Sequence, residues 1–439
     1  MSTIDKLASC EDPFDHLLPV DEARQRLLDT LQPVAFEKMQ QVPLADASGR
    51  VLAQAITAPF DVPPEANSAM DGYAIVADDI PTEGETRLRI VGTAWAGRPY
   101  GAAVARGEAV RIFTGAVMPA GADTVVIQEH VRADEQSVHI DSKVVPGRNV
   151  RAAGEDVALG ELVFDEGRRL TAPAIGVLAS LGIVSAGVRE RLRVAWFTTG
   201  DELVSLDKAA SAVDAGTDTV SIGPPGTGLL YDSNRHTLRA LLSRAGVQLI
   251  DLGVVPDTLE ATRDALTQAA AQADLVISSG GVSTGDADYV KQAFHELGEV
   301  AFWRLAMRPG RPLAFGRVGE ATFFGLPGNP VAVVVTFLQF VLPALRRLSG
   351  ESADALHPMA FPATCLSRLR TSLGRTEFQR GVMRTDETGR VVVESTGAQG
   401  AGRLSSMSAA NCLIMIAPEC GAVEPGDQVH VQPLYGLMP

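Results

Sequence analysis

A short apolar run followed by small residues is the clearest chemical signal in the sequence. Residues 275–277, Leu-Val-Ile, are typical of a parallel strand covered on both faces. The glycines and serines after it let successive backbone N–H groups point into one concavity. A helix predicted over 287–297, with Asp286 as N-cap, adds its dipole, so the pattern predicts a phosphate-binding turn, although a structural connection can look the same. The small residues are Ser278, Ser279, Gly280, Gly281, Ser283, Thr284 and Gly285.

Acidic residues follow each predicted parallel strand. Glu202 comes after a strand over 192–199, Asp257 after a strand over 247–255, and Asp288 after the central strand. Asp257 also fits the N-cap of the following helix, as Asp286 does for the next one. Several carboxylates beside an anion-binding turn fit a hard cation between them, and Mg²⁺ prefers oxygen ligands. The candidate metal ligands are therefore Glu202, Asp257 and Asp288.

Three arginines stand in a short segment, Arg304, Arg308 and Arg311. In an extended run, Arg304 and Arg308 would point to the same side, because side chains alternate with a period of two. Permanent charges so close together in an acidic chain favour a phosphate clamp, with a solvated edge as the alternative.

A second polar cluster occurs far from the sheet, at residues 67–74. It contains Asp71 and interrupts a region of short predicted strands, as functional loops do, although Asp71-Gly72 is also an ordinary turn signal. Thr114 and Asp156 lie in two further Gly-containing loops of the same region.

Alternating strand and helix patterns predict the architecture. The regular βα units point to a doubly wound parallel sheet that binds ligands at the carboxyl ends of its strands. The fold class is α/β and β multidomain, with helices expected over 12–41 and 170–181 to pack on each other. The predicted domains are a helical domain (12–60 and 155–190), an inserted β-rich module (61–154), the parallel-sheet domain (191–349) and a C-terminal β-barrel-like domain (350–439).

Composition narrows the function class. The 439 residues carry a net charge of −15, which argues against a nucleic-acid or acidic-membrane surface. The 4 cysteines lack metal-ligand spacing and are expected to be free thiols. The first residues carry several acids and no apolar stretch, so no signal peptide is expected. The apolar run at 331–342 is too short to span a bilayer and predicts a buried helix, and we expect a cytoplasmic protein.

Seven motifs occur in order along nearly the whole chain. They are residues 67–74 (Asn-Ser-Ala-Met-Asp-Gly-Tyr-Ala), 113–116 (Phe-Thr-Gly-Ala), 154–156 (Gly-Glu-Asp), 199–203 (Thr-Gly-Asp-Glu-Leu), 278–283 (Ser-Ser-Gly-Gly-Val-Ser), 285–289 (Gly-Asp-Ala-Asp-Tyr) and 325–330 (Gly-Leu-Pro-Gly-Asn-Pro). Together they resemble the molybdopterin molybdenumtransferase family, which comprises the bacterial MoeA proteins and the E domain of gephyrin.

The resemblance implies an elongated homodimer of four-domain subunits. Its cleft would lie between the parallel-sheet domain of one subunit and the β module of the other. The implied reaction cleaves adenylylated molybdopterin with Mg²⁺, releases AMP and takes molybdate as the metal substrate; a transient contact with molybdopterin adenylyltransferase is also expected. By similarity, the catalytic residues are Asp71, Thr114, Asp156, Glu202, Asp257 and Asp288, and the substrate-binding residues are Ser279, Gly280, Gly281, Ser283, Arg304, Arg308, Arg311, Pro327 and Pro330.

Two features depart from the family pattern. Positions 304, 308 and 311 are often Lys in the family and are Arg here, so charge is kept but a neutral base is not available. The loop over 207–228 is also longer than expected.

Two rival functions remain open from sequence. A molybdopterin adenylyltransferase has a similar sheet domain, but it would not need the β module or the C-terminal domain. A scaffold of the gephyrin kind would need a groove for a partner and not the acids of a cleft.

Overall fold

The computed structural model describes residues 17–33, 39–207, 221–281, 293 and 296–434. Its contacts divide the chain into two units. The smaller unit comprises Gln41–Ser48 and Leu52–Gly187, and the larger one comprises Met1–Gln40, Gly49–Val51 and Val188–Pro439. The domain boundaries given above stay predictions.

The α-helices of the described residues are distributed along the whole chain. A π-helical turn, Phe337–Val341, joins α5 to α6. They are α1 (Val20–Thr30), α2 (Ala172–Ser180), α3 (Ser233–Ala245), α4 (Leu259–Gln272), α5 (Pro330–Thr336), α6 (Leu342–Leu348) and α7 (Leu404–Ser408).

The strands fall into three groups along the chain. The first group is β1 (Met39–Pro43), β2 (Ile56–Thr57), β3 (Asn67–Ser68), β4 (Gly72–Ile75), β5 (Glu85–Ala94), β6 (Glu108–Ile112), β7 (Thr124–Ile127), β8 (Arg132–Ala133), β9 (Ser137–Asp141), β10 (Val150–Arg151), β11 (Leu162–Phe164) and β12 (Ser185–Arg189). The second is β13 (Arg193–Thr199), β14 (Leu203–Val204), β15 (Leu230–Tyr231), β16 (Gln248–Val255), β17 (Leu275–Ser279), β18 (Gly298–Arg304), β19 (Met307–Arg308), β20 (Pro312–Val318) and β21 (Ala321–Leu326). The third is β22 (Phe361–Cys365), β23 (Leu369–Arg370), β24 (Thr376–Thr385), β25 (Val391–Ser395), β26 (Cys412–Ile416), β27 (Ala422–Val423) and β28 (Gln428–Pro433).

The smaller unit is built on a mixed sheet with the strand order β7-β4-β6-β5-β9-β8. Side chains of β4 alternate between two cores, since Tyr73 and Ile75 face one and Ala74 faces the other. Short ladders β10-β3 and β11-β2 extend this β-rich region. Helix α2 ends beside a separate small core around Ala58 and Val157.

The first helix differs from its prediction. It was expected to pack against the second helix, but α1 buries Ala23 and Leu27 in the main core of the larger unit, together with Trp196. The prediction of an amphipathic helix was correct, because apolar residues recur on one face of α1. Periodicity gives the buried face of a helix and not the element that covers it.

The larger unit contains a six-stranded sheet with the order β16-β13-β17-β21-β20-β18. Strands β16, β13, β17 and β21 are parallel, as predicted, with β17 central among them. Strands β20 and β18 are antiparallel and form one edge, so the sheet is mixed rather than wholly parallel.

Helices cover both faces of this sheet. Trp196 on β13 and Ile277 on β17 lie in one core with α1, α3, α5 and α6. Phe197 and Val276 lie in the opposite core with α4. Each central strand therefore buries consecutive residues, which explains its continuous apolar sequence.

The C-terminal strands close into a barrel, as expected. The ladders run β24-β25-β22-β28-β26, and β26 pairs back with β24, which leaves five strands in a closed ring. Phe378 and Leu413 from the barrel reach the main core of the sheet domain. The barrel and the sheet domain thus share buried side chains.

One helical stretch, Pro330–Leu348, is long and apolar enough by composition to cross a membrane. Its apolar window is 89% buried inside the protein, as a core helix would be. Pro330 is the first helical residue and Asn329 precedes it, as the sequence predicts, although the Asn329 side chain makes no capping hydrogen bond.

The N-cap of α4 is Thr258, and the prediction of Asp257 was wrong. Thr258 Oγ1 accepts a hydrogen bond from Ala261 N at 3.3 Å. Both residue types cap helices well, and pattern alone does not separate two adjacent candidates.

Replacing Thr258 with Ala is expected to lower the free energy of unfolding by about 1 kcal/mol, because one amide of the first helical turn loses its acceptor. Urea denaturation of the full chain measures the change. Thr267→Ala on the exposed face of the same helix is the matched control and should cost less. An unchanged midpoint for Thr258→Ala would mean that the cap is not formed.

Candidate active site

A cavity of about 580 Å³ opens at the carboxyl ends of the parallel strands. Its size is typical of small-molecule sites, and the edge is where open α/β sheets bind ligands. Residues from the barrel domain also line it. The lining residues include Thr199, Gly200, Glu202, Asn234, Asp257, Ser279, Gly280, Gly281, Arg308, Arg311, Pro327, Gly328, Gln399 and Ala401.

The floor of the cavity is a close approach of three strand ends at Gly280. Its backbone N–H donates to the Leu326 carbonyl at 3.1 Å. A Cβ at this position would lie 2.5 Å from the Thr199 carbonyl oxygen, and φ is +98°. Only glycine fits both constraints. Gly281, with φ +64°, continues the turn.

Asn234 is a site residue that the sequence analysis missed. Its Nδ2 donates to Ser279 Oγ at 3.1 Å and to the Gly328 carbonyl at 2.7 Å. Its Oδ1 is buried and has no hydrogen-bond partner in the part of the chain that the structure describes. Asn234 thus ties the glycine turn to the loop before α5 and keeps one acceptor available.

The position of Asn234 follows from the cap of its helix. Asp232 accepts hydrogen bonds from the Arg235 backbone N–H at 3.0 Å and from the Thr198 hydroxyl. The first turn of α3 is therefore anchored to strand β13. The Asp-Ser-Asn sequence is a signal for the start of a helix, and this helix start also places the Asn234 side chain at the cavity.

The acidic side of the cavity is formed by Glu202 and Asp257. Asp257 Oδ1 is buried and lacks a partner among the described residues. Burial raises the pKa of the Asp257 carboxyl, and the charges of Asp201 and Glu202 raise it further. Carboxylates gathered in this way are suited to bind a cation.

The predicted metal site can be located only in part. Asp288 and Ser283, like Asp286, lie outside the described residues. Within the described ranges, no group of three or more His, Cys, Asp or Glu side chains is close enough to hold a metal ion. The prediction of Glu202, Asp257 and Asp288 as joint ligands stays a prediction.

The basic side of the cavity contains Arg308 and Arg311. Arg308 lies 3.7 Å from Glu377 and is 58% exposed. The Arg311 Nε is buried and finds no hydrogen-bond acceptor among the residues described. Burial lowers the pKa of the Arg311 guanidinium, and the charges of Arg304 and Arg375 add to this. Arg311 thus has one buried donor that no described residue satisfies.

The expected extended run from Arg304 to Arg308 does not exist. Arg304 is the last residue of β18 and pairs with Pro312. After Arg304 the chain leaves the sheet. Arg308 lies on β19, which pairs with the barrel strand β24. The prediction that Arg304 and Arg308 share one side of a strand was wrong, because β18 ends at Arg304 and Arg308 lies in the connection between β18 and β20.

Of the two predicted proline positions, Pro327 lines the cavity and Pro330 is not among its lining residues. Pro327 is buried, and its carbonyl accepts from Ser279 Oγ at 3.2 Å. Pro330 begins α5 and is half-buried.

The smaller unit joins two of the predicted residues. Asp71 Oδ1 accepts from the Thr114 backbone N–H at 2.8 Å and from its hydroxyl at 2.7 Å. The backbone hydrogen bond, then the hydroxyl and then the charge of Arg111 lower the Asp71 pKa. Asp71 is therefore ionised at neutral pH. Asp156 is exposed in the turn after Gly154, and its backbone N–H donates to the Val62 carbonyl at 2.9 Å.

Comparisons with known proteins cover almost the whole chain. Family models match in sequence order: the MoeA N-terminal region (domain I and II) at 18–182, a probable molybdopterin binding domain at 195–347, and the MoeA C-terminal region (domain IV) at 362–434. A molybdopterin molybdenumtransferase of Haemophilus influenzae is 38% identical over 424 residues, covering 96% of this chain and 100% of the relative. The chain belongs to the molybdopterin molybdenumtransferase family.

Further relatives support the same family assignment. A Nostoc molybdopterin molybdenumtransferase is 36% identical and covers 85% of this chain and 84% of its own length. Gephyrin of Dictyostelium discoideum is 31% identical over 94% of this chain, which spans 62% of gephyrin. The crystal structure of a moeA protein from Pyrococcus horikoshii matches with a TM-score of 0.78 at 28% identity, over 95% of this chain and 100% of that one. The molybdenumtransferase family acts in molybdenum cofactor biosynthesis, and this chain is an enzyme of it.

Asp257→Asn is expected to stabilise this molybdenumtransferase at neutral pH. A raised pKa means that the folded state holds its proton more tightly than the unfolded state. Ionisation therefore costs stability as pH rises through the folded pKa, and the neutral amide avoids that cost.

The gain in melting temperature for Asp257→Asn should be larger at about pH 8 than at about pH 5, because pH 5 lies nearer to the usual pKa values of carboxyl groups. Thermal melting at both pH values in a metal-free buffer measures it. Asp264→Asn, at an exposed position on α4, is the control and should show little change. A variant less stable than the parent chain at the higher pH would contradict the raised pKa.

Proposed function

We propose that the chain inserts molybdate into adenylylated molybdopterin, with Mg²⁺ and with release of AMP. The observation that carries this proposal is that one cavity is lined both by Asp257, whose buried Oδ1 has no partner among the described residues, and by Arg311, whose buried Nε has none there either. A substrate that combines phosphate groups with a divalent cation would satisfy both sides at once.

The basic side would hold the phosphate groups. Arg311 is half-buried, and its buried Nε is a donor without an acceptor among the described residues. The turn at Gly280 and Gly281 presents backbone amides at the end of a strand. A charged hydrogen bond to phosphate is stronger than one between neutral groups. As AMP departs, its phosphate gains charge, and donors already fixed in place stabilise that charge without reorganisation.

The acidic side has a donor set that fits Mg²⁺. Asp257 Oδ1 is buried without a partner among the described residues, and Glu202 lies on the same cavity. These two carboxylates would hold the ion, with Asp288 as the further ligand expected from the resemblance. Bound there, Mg²⁺ would neutralise phosphate charge as a Lewis acid.

The smaller unit would complete the cleft from the other subunit of a homodimer. The support for this step is the family resemblance, together with the ionised Asp71 held by Thr114. Asp156 is assigned to the same cleft by similarity. We also expect a cytoplasmic enzyme that receives its substrate from a molybdopterin adenylyltransferase.

Incubating the purified chain with adenylylated molybdopterin, molybdate and Mg²⁺ should release AMP and form molybdenum cofactor. Omitting Mg²⁺ should abolish or strongly reduce both products. AMP measured by chromatography and cofactor measured by reconstitution of a molybdoenzyme give independent readouts. No turnover with tight peptide binding would favour the scaffold, whereas adenylylation of molybdopterin from ATP would favour the adenylyltransferase.

Substitutions of the basic residues test their role in phosphate binding in the same assay. Arg311→Ala should raise KM at least tenfold, because a charged hydrogen bond to phosphate is worth about 2 kcal/mol. Arg317→Ala is the matched control, since Arg317 is half-exposed and pairs with Glu320 on the surface. Equal KM values for both variants would remove Arg311 from the phosphate site.

Mixed dimers test the shared cleft. Asp71→Ala and Asp257→Ala subunits should each be inactive alone. Mixed in equal amounts and allowed to exchange, they should recover about a quarter of full activity, because half of the dimers are mixed and each of these has one intact cleft of two. Two different affinity tags verify that mixed dimers form. No recovery in such mixtures would mean that each cleft is built within one chain.

A further inference from the structure

An exposed aromatic stack lies beside the Asp71–Thr114 pair in the smaller unit. Trp95 follows strand β5 and is 50% exposed, whereas Trp196 and Trp303 are 1% and 5% exposed. The indole of Trp95 stacks on Phe113 with ring centroids 4.1 Å apart and planes inclined by 9°. Phe113 covers one face of the indole, so a large flat apolar surface remains in solvent.

The backbone holds this tryptophan without help from a core. Trp95 and Arg98 exchange both backbone hydrogen bonds, at 3.0 and 2.9 Å, which closes a tight turn. Gly97 in that turn has φ +76°, which glycine adopts without strain. Trp95 belongs to neither buried core of the module's sheet. Its side chain is thus presented outward and does not contribute to the fold's interior.

The surroundings of the stack are those of a ligand site. The Phe113 backbone N–H donates to the Ala94 carbonyl at 3.2 Å, which fixes the loop that carries the next residue, Thr114. The Arg111 guanidinium carbon lies 5.3 Å from the centroid of the Phe113 ring. The Trp95–Phe113 stack, the exposed Arg111 at the end of β6 and the ionised Asp71 held by Thr114 are therefore linked through adjacent contacts.

We propose that Trp95 stacks on a flat heteroaromatic ring of the substrate, with Arg111 beside the phosphate attached to it. The inference rests on the proposed function, because adenylylated molybdopterin contains two such rings, adenine and pterin. Their shared chemistry is a π-face of a size that matches indole. A surface tryptophan pre-stacked on Phe113 loses little conformational freedom when a ring binds.

Fluorine NMR of the full chain labelled with 5-fluorotryptophan tests the site directly. The chain has 3 tryptophans, and Trp95→Phe identifies the Trp95 signal by its loss. Titration with AMP, and separately with neopterin, should shift the Trp95 signal through the ring current of the stacked ligand. The buried Trp196 and Trp303 serve as references. A shift with AMP alone assigns adenine, and a shift with neopterin alone assigns pterin.

Affinity measurements supply a second readout. Trp95→Ala should weaken binding of the ring that shifts the signal by about fivefold or more, the usual effect of removing a stacking partner. Trp95→Phe should retain most of the affinity. Val145→Ala, at another exposed apolar position of the same unit, is the control and should bind as the parent chain does.

Two results would overturn the inference. One is a Trp95 signal that responds to neither ligand. The other is equal affinity and KM for the alanine variant and the parent chain. If the chain turns over its substrate but the Trp95 signal does not respond to either ligand, this site is rejected and the proposed function is kept. If a ligand shifts the Trp95 signal but the chain does not turn over its substrate, the site is kept and the proposed function is rejected.

Discussion

The close approach of three strand ends at Gly280 is the constraint on which the active-site region depends. Its N–H reaches the Leu326 carbonyl, and the absent Cβ leaves room for the Thr199 carbonyl. The loops that follow these strands therefore start from nearly one point. Acids and backbone amides that are distant in sequence meet around a single cavity because their strands end together.

The presence of both charge signs at that cavity is the second organising feature. A chain with a net charge of −15 lines this cavity with Arg308 and Arg311 as well as with Glu202 and Asp257. The buried Arg311 Nε and Asp257 Oδ1 each lack a partner among the described residues. Unmatched buried groups cost free energy in the unliganded protein. A ligand that pairs these two atoms recovers this free energy, which then contributes to binding.

The barrel has a larger part in the site than its sequence indicated. Its strand-and-turn pattern correctly predicted a closed β domain, yet Gln399 and Ala401 from this domain line the cavity. Gln399 is held by hydrogen bonds between its side chain and the Arg380 backbone, at 2.8 and 3.0 Å. The shared core that includes Phe378 fixes the barrel against the sheet domain. Local patterns contain no information on such a long-range contact.

The sequence by itself determined those features that depend on near neighbours along the chain. The bounds of α3, the glycine after it, the proline that opens α5 and the continuous apolar strand β17 all follow from spacing and backbone chemistry. The order of motifs also gave the family. Where two adjacent residues could both serve as N-cap, as at Asp257 and Thr258, the pattern did not choose, because the decision depends on the local φ and ψ angles.

Tertiary structure alone decided which separate segments meet. Asn234 contacts residues 45 and 94 positions away, so its helix-start sequence did not reveal its place in the cavity. Arg304 and Arg308 look like one strand in sequence, but the hairpin between β18 and β20 sends Arg308 to the barrel. In both cases the partner lies far along the chain. Pairing across such a distance is set by the packing of whole elements, and the side chains of a short segment do not encode it.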